Sequence, residues 1–168
     1  MNWKKLFSNL IWIAALVFLL WYFLFPISLA DAMPAGEGIR VSVLDKDDAG
    51  TSIQTVYYLP ANAAANADFR ALLDAYPCYR TINSNGKITN QAQTVRQTYL
   101  IQTDSATDFI YAHGGSMITL NDSYLRMGWF NSSQAAAFAA GIQTILTQSD
   151  TGVVIESTQI IEPITFES

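Results

Sequence analysis

The clearest fold signal in this chain is the stretch Phe109-Ile-Tyr-Ala-His-Gly-Gly-Ser-Met-Ile-Thr-Leu-Asn-Asp-Ser-Tyr-Leu-Arg-Met-Gly-Trp129. Its apolar segments are four to seven residues long, which is typical of short β-strands. Gly114-Gly115 and Asn121-Asp122 separate these segments, and both dipeptides are typical of two-residue hairpin turns. The stretch therefore predicts three consecutive antiparallel strands, a β-meander.

The two turns also predict which residues share a sheet face. A two-residue turn at Gly114-Gly115 places Tyr111 opposite Ile118, and one at Asn121-Asp122 places Ile118 opposite Leu125. We expect the core face to carry Phe109, Tyr111, Ile118, Leu120, Leu125, Met127 and Trp129. The opposite face then carries Ile110, Ala112, Met117, Thr119, Tyr124, Arg126 and Gly128.

Further strands are predicted on both sides of the meander. Residues 39–44 alternate with a period of two, residues 53–59 are rich in β-formers, and Val95, Tyr99 and Ile101 alternate with polar residues. Near the C-terminus, residues 153–155 and 160–161 predict a last edge strand. We expect residues 81–93, which are rich in Asn and Gln, to form a loop.

Two helices are predicted by apolar residues at helical spacing. Asn66 is an expected N-cap for the first helix, which ends before Pro77, and Arg70 and Asp74 are expected as a weak surface pair. Asn131 and Gln134 form a capping-box pattern for the second helix. The apolar stripes are Phe69, Leu72, Leu73 and Tyr76 in the first helix, and Phe138, Ile142, Ile145 and Leu146 in the second. Both helices are expected on the core face, so the predicted fold class is α+β.

The N-terminus carries a predicted transmembrane helix. Residues 6–30 contain no charge, and about 20 apolar residues suffice to span a bilayer. Lys4 and Lys5 precede the helix, which predicts a cytoplasmic N-terminus and a C-terminal domain outside the cell membrane. The anchor residues we single out are Leu10, Trp12, Phe18, Trp21 and Tyr22. The small residues at 28–32 leave a cleaved signal peptide open as the alternative.

This pattern divides the chain into three parts. Residues 1–32 are the anchor or an uncleaved signal, residues 33–38 a flexible linker, and residues 39–168 the extracytoplasmic domain. The lone Cys78 follows a helix end rather than a helix start, so we expect a buried and inert thiol.

Composition and motifs offer little support for nucleic-acid binding, metal binding or catalysis. The net charge is −5, from nine basic and fourteen acidic residues, so no basic surface for nucleic acid is expected. We predict no cofactor and no metal site, since Asp45, Asp47 and Asp48 lack the spacing of a calcium loop. His113 is the single histidine and no nucleophile elbow accompanies it, so whether the chain is an enzyme stays uncertain, with a binding role favoured.

The predicted open sheet face suggests a binding surface. Ile110, Met117, Tyr124 and Arg126 combine apolar area, an aromatic ring and an arginine, a mixture enriched at protein interfaces. The alternatives are that a loop covers this face, or that an exposed edge strand accepts a partner's strand.

The overall pattern resembles small extracytoplasmic domains of unknown function from Gram-positive bacteria, which are membrane-anchored or secreted. The residues that carry the resemblance are the apolar segment after Lys4-Lys5, Phe69-x-x-Leu72-Leu73, Phe109-Ile-Tyr111 and Tyr124, within residues 53–147. Members of this group are often lipid-anchored, and this chain departs from them because it has no lipobox Cys. The resemblance transfers no functional residue.

The sequence thus predicts a single-pass, membrane-tethered binding domain that contacts another envelope or membrane protein. One alternative is a secreted soluble inhibitor or binding protein, released by signal-peptide cleavage. The other is a small hydrolase or transferase that uses His113 with Asp108 or Ser116.

Overall fold

The computed structural model describes residues 3–46, 51–81, 97–105, 108–112, 117–121, 123–128, 133–148 and 150–161. Its helices are α1 (Trp3–Leu24), a single 3-10 turn (Ala30–Ala32), α2 (Ala64–Ala75) and α3 (Ser133–Thr147). Its strands are β1 (Ile39–Lys46), β2 (Ser52–Leu59), β3 (Cys78–Arg80), β4 (Gln97–Thr103), β5 (Phe109–Ala112), β6 (Met117–Leu120), β7 (Ser123–Met127) and β8 (Val154–Ile161).

All eight strands form one antiparallel sheet in the order β3-β7-β6-β5-β4-β1-β2-β8. Strands β4 to β7 are consecutive neighbours, which confirms the predicted meander, and the sheet does not close into a barrel. Helices α2 and α3 pack together against one face of this sheet, as the sequence predicts. The fold class is therefore α+β with an N-terminal apolar helix, and α1 and β8 lie at opposite edges of the sheet.

The core lies between the sheet and the two helices. Alternation in β1 buries Ile39, Val41 and Val43, and the helical stripes bury Phe69 and Phe138 opposite them. The predicted apolar stripe of α3 is buried at all four positions, and that of α2 is buried at Phe69 and Leu73 and half-buried at Leu72 and Tyr76.

One of the two predicted hairpin registers is confirmed and the other is wrong. The β6–β7 pair places Ile118 opposite Leu125, as predicted. The β5–β6 pair places Ala112 opposite Ile118, so the connection holds five residues rather than the four that a two-residue turn gives. Because a one-residue shift exchanges the two faces of a strand, Ile110 and Ala112 enter the core while Phe109 and Tyr111 turn away from it.

Asn66 is not the N-cap of α2, which begins at Ala64 after Ala63. Its side chain is buried inside the first turns, where Nδ2 donates to the carbonyl oxygens of Leu59 at 2.9 Å and Glu37 at 3.1 Å. The expectation was wrong because the side chain satisfies carbonyls of other segments rather than the N–H groups of its own helix.

Arg70 does not form the expected surface pair with Asp74. Its guanidinium donates to Asn66 Oδ1 at 2.8 Å, to the Pro34 carbonyl at 2.8 Å and to the carbonyl oxygens of Met33 and Glu37. Asp74 instead accepts a hydrogen bond from the Ser28 hydroxyl at 2.8 Å. Both side chains therefore bind the segment between α1 and β1, and the contacts of Arg70 lie within residues 33–38, the predicted flexible linker.

Several predictions lie outside the described residues. These are the acidic residues Asp47 and Asp48, the loop within residues 82–96, the turn residues 113–116 with His113, the cap at Asn131, and residues 162–168.

Candidate functional site

The four residues predicted to form one open binding face do not share an exposed surface. Ile110 is fully buried in the core, as a result of the register shift in β5, and Met117 is also buried, with 6 % of its surface exposed. Tyr124 is half-buried and Arg126 is exposed on β7. The exposed patch predicted from the sequence is therefore wrong at Ile110 and Met117, and only the two β7 residues keep accessible side chains.

The predicted anchor residues lie on α1 with their side chains exposed. Leu10, Trp12, Phe18, Trp21 and Tyr22 expose between 41 % and 73 % of their surfaces. The segment Phe7–Leu24 is long and apolar enough to cross a membrane, and none of it is buried against the domain. A helix of this kind has no polar face to present to water.

The chain after α1 is built directly into the domain. Ile27 and Cys78 pair across two backbone hydrogen bonds, of 2.7 and 2.9 Å, and so extend the β3 edge of the sheet. Leu29 is fully buried in the core and Met33 is 3 % exposed. The apolar helix α1 is therefore joined to the domain without a free spacer.

A cleft of about 600 Å³ opens where α1 meets the sheet. We call it the α1 cleft, and it is lined by Tyr22, Phe23, Ile27, Arg80, Thr81, Leu120, Asn121, Ser123, Tyr124 and Leu125. Tyr22 and Phe23 belong to the last turns of α1, and the other walls come from β3 and from the β6–β7 hairpin. One of the predicted binding residues, Tyr124, is thus part of this cleft.

Arg80 is the basic residue of the cleft. Its guanidinium lies over the Tyr22 ring, 4.6 Å from the ring centroid, and donates to the Tyr22 carbonyl oxygen at 3.4 Å. Among the residues that the structure describes, no carboxylate lies within ion-pair distance of Arg80. Asn121 is held in the wall because its Nδ2 donates to Asp108 at 2.6 Å and its Oδ1 accepts from the Phe109 N–H at 2.9 Å.

The opposite edge of the sheet carries an exposed apolar strand. In β8, every side chain except Ser157 is exposed, and Ile160 exposes 69 % of its surface. Glu156 is its one charged residue and forms an ion pair with Arg40 at 3.2 Å. The β8 edge, as we call residues 154–161, has the neighbouring aliphatic side chains Ile53, Val154, Ile155, Ile160 and Ile161 exposed.

The pairing of β8 with β2 is regular over only part of its length. A bulge near Glu156 interrupts the register, after which residues 157–161 pair one by one with residues 52–56. This second part contains no Pro, Gly or charged residue, although natural sheet edges usually carry such residues to prevent association. Among the residues that the structure describes, no strand pairs with the outer side of β8.

The described residues do not bring a catalytic or metal-binding group together. No cluster of three His, Cys, Asp or Glu suited to a metal occurs within the described ranges. Burial raises the pKa of the Cys78 thiol to about 12, so the thiolate that a nucleophile requires does not form at neutral pH. His113, together with Ser116, lies outside the described residues, so the hydrolase alternative is untested.

Sequence reasoning missed Arg80 and the extent of the β8 edge. Arg80 lies on a three-residue strand that exists through its pairing with β7, and no local pattern marks so short an element. Ile160-Ile161 was a visible signal for the edge, but the sequence did not show how many of its side chains are exposed. Comparison with known protein families, with characterised proteins and with solved structures finds no match for this chain.

Proposed function

We propose that this chain is a single-pass, membrane-tethered domain outside the cytoplasm, which binds an extended segment of another envelope or membrane protein at the β8 edge. The observation that carries the binding role is the exposed, uncharged pairing edge at residues 157–161. The resemblance to anchored extracytoplasmic domains agrees with this proposal.

The packing of residues 27–33 into the domain supports a retained anchor. Cleavage after Ala30 or Ala32 would remove Leu29 from the core and Ile27 from its pairing with Cys78. A buried leucine contributes about 2–5 kcal/mol to folding, which is a large part of the stability of a small domain. Removal of these residues with a signal peptide would therefore lower the folding stability of the released domain by a large fraction. The charges of Lys4 and Lys5 favour a cytoplasmic N-terminus.

The chemistry of the β8 edge favours an extended, aliphatic partner segment. A sheet edge presents alternating N–H and C=O groups, which only another extended backbone pairs regularly. The side chains beside these groups are Ile160 and Ile161 on β8 and Ile53 on the adjacent β2, so β-branched partner residues bury the most apolar area. A second copy of this chain is the competing occupant.

The retained anchor is tested by the mass and the N-terminal sequence of the protein recovered from its native host, with membrane and medium fractions analysed separately. We expect the intact chain in the membrane fraction. A chain that begins at Asp31 or Met33 in the medium would overturn the tether and would support a secreted binding protein.

The binding edge is tested by site-specific photo-crosslinking in the native host. A photoreactive residue at Ile160 should crosslink one other envelope protein, within a mapped segment of high β-propensity. The same residue at Gln148, which is exposed after α3, is the matched control and should give no such product. Crosslinking from Arg126 but not from Ile160 would move the site to β7, and a product of twice the chain's mass would show self-pairing. Either result overturns the proposed partner.

Ile160→Lys provides a second measurement. Ile160 is already exposed, so the substitution should leave the thermal unfolding midpoint within a few degrees of the unmodified chain. We expect it to abolish crosslinking from a probe placed at Gln159, because a charge protects a sheet edge from pairing. Unchanged crosslinking would exclude strand addition at this edge.

A further inference from the structure

We propose that the α1 cleft binds the phosphate of an anionic membrane lipid, in the leaflet next to the C-terminal end of α1. This inference rests on the proposed membrane tether and adds a ligand to it. Tyr22 and Phe23 of α1 form part of the cleft wall, so the cleft lies beside the C-terminal end of the proposed membrane-spanning segment. Aromatic residues at that position are typical of the headgroup layer.

The polar groups of the cleft suit a phosphate. The Arg80 guanidinium is held over the Tyr22 ring and has no carboxylate partner within the described ranges, so its remaining N–H groups are available to an anion. Arginine recognises phosphate through two parallel hydrogen bonds. Ser123 and Tyr124 add hydroxyl groups to the same lining, and Ser123 is exposed at the cleft.

The apolar groups of the cleft favour a lipid over free phosphate. Phe23, Ile27 and Leu120 line the same space and offer apolar surface to the glycerol and the first methylenes of an acyl chain. The domain outside the cleft is acidic in composition, and the whole chain carries a net charge of −5. Because the net charge is negative, nonspecific electrostatic attraction does not bring this chain to an anionic bilayer. Recognition of an anionic lipid therefore depends on Arg80 itself.

The test uses the full-length chain in nanodiscs of phosphatidylcholine containing a minor fraction of phosphatidylglycerol. Lipid that stays bound after gentle detergent extraction is counted by native mass spectrometry. We expect phosphatidylglycerol to be retained over phosphatidylcholine, with a preference that falls about tenfold in Arg80→Gln. Arg126→Gln is the charge-matched control on the neighbouring β7, and it should keep the preference of the unmodified chain.

A second variant keeps the test informative if Arg80→Gln fails to fold. Ser123→Trp fills the cleft from an exposed position, leaves Arg80 in place, and should also abolish the preference. Equal retention of the two lipids, or an equal loss in Arg126→Gln, overturns the proposal. If inorganic phosphate competes for the cleft and neither lipid is preferred, the ligand is free phosphate, which also overturns the proposal. Co-elution of the chain with the nanodisc reports on the tether separately, so a failed anchor is distinguished from an empty cleft.

Discussion

Ile27 and Cys78 exchange two backbone hydrogen bonds although they are 51 positions apart in the chain. Ile27 follows the apolar helix α1, and Cys78 begins the short edge strand β3. This pairing makes the chain just after α1 a part of the sheet, so the stability of the domain depends on residues that a signal peptidase acting at Ala30 or Ala32 would remove.

Leu29→Ala should destabilise the full-length chain by about 2–5 kcal/mol, because the side chain is fully buried and its loss leaves a cavity. Denaturant unfolding in a nonionic detergent measures the effect. Asp31→Ala, at an exposed position two residues later, is the control and should change the free energy of unfolding by less than about 0.5 kcal/mol. Equal effects of the two substitutions would show that residues 27–33 do not contribute to the core.

Asn66→Ala should cost about 1–3 kcal/mol, because it leaves the buried carbonyl group of Leu59 without its donor, whereas the Glu37 carbonyl keeps its hydrogen bond from Arg70. It also removes the acceptor of Arg70 Nε. The measurement is again the free energy of unfolding, with Asn62→Ala at an exposed position as the control. A cost no larger than that of the control would contradict the role of this amide in joining α2 to β2.

Ile110→Ala tests the register of the β5–β6 hairpin. With Ile110 fully buried, the substitution should destabilise the protein by about 2–5 kcal/mol. Ile53→Ala, the same change at a residue that is 44 % exposed, should cost much less. A neutral Ile110→Ala would restore the register of a two-residue Gly114-Gly115 turn, in which Ile110 lies on the open face.

The Cys78 thiol should resist alkylation in the folded protein. Burial raises its pKa to about 12, so almost no thiolate is present at pH 8, and the reagent also lacks access. We expect iodoacetamide to modify Cys78 rapidly in denaturant and slowly without it. Because the folded-state pKa is raised, the thiol's contribution to stability is complete below pH 9 and decreases as the pH rises further. Fast labelling of the folded protein would contradict a buried Cys78.

Glu37 should contribute to the acid sensitivity of the fold. The Ser105 N–H donates to its carboxylate at 3.0 Å and lowers its pKa from the ordinary value of 4.5. A lowered folded-state pKa means that the contribution to stability is present above pH 4.5 and is lost as the pH falls through the folded-state pKa. Thermal midpoints between pH 7 and about pH 3 should therefore decline less in Glu37→Gln than in the unmodified chain. Asp68→Asn, on the exposed side of α2, is the control. Identical pH profiles of the thermal midpoint for Glu37→Gln and the unmodified chain would exclude a contribution from Glu37.

Much of the architecture was predictable because local periodicity reports which side of an element is buried. The stripe of α3 at Phe138 and Ile142, the alternation of β1 and the β6–β7 register were all predicted correctly. The β5–β6 register was not, since Tyr111 pairs with Thr119 rather than with Ile118, and this shift of one residue exchanges the faces of Ile110 and Tyr111.

The candidate sites were less predictable because they depend on residues far apart in the chain. Arg80 and Tyr22 are 58 positions apart, and their contact depends on the pairing of Ile27 with Cys78. The contacts of Arg70 were unpredictable for the same reason, because its partners Met33 and Pro34 are more than 30 positions away in the chain. Neither contact leaves a periodic signal in the sequence.

The sequence by itself determined the apolar helix at the N-terminus, the α+β class and most of the residues that form the core. These features follow from composition and spacing, because hydrophobic burial acts on each residue according to its own side chain. The tertiary structure alone decided that the chain after α1 continues into the core, that a cleft with Arg80 lies beside the end of α1, and which apolar side chains of the predicted edge strand stay exposed. Each of these needs the pairing of distant segments, whose register depends on packing across the whole sheet rather than on any local pattern.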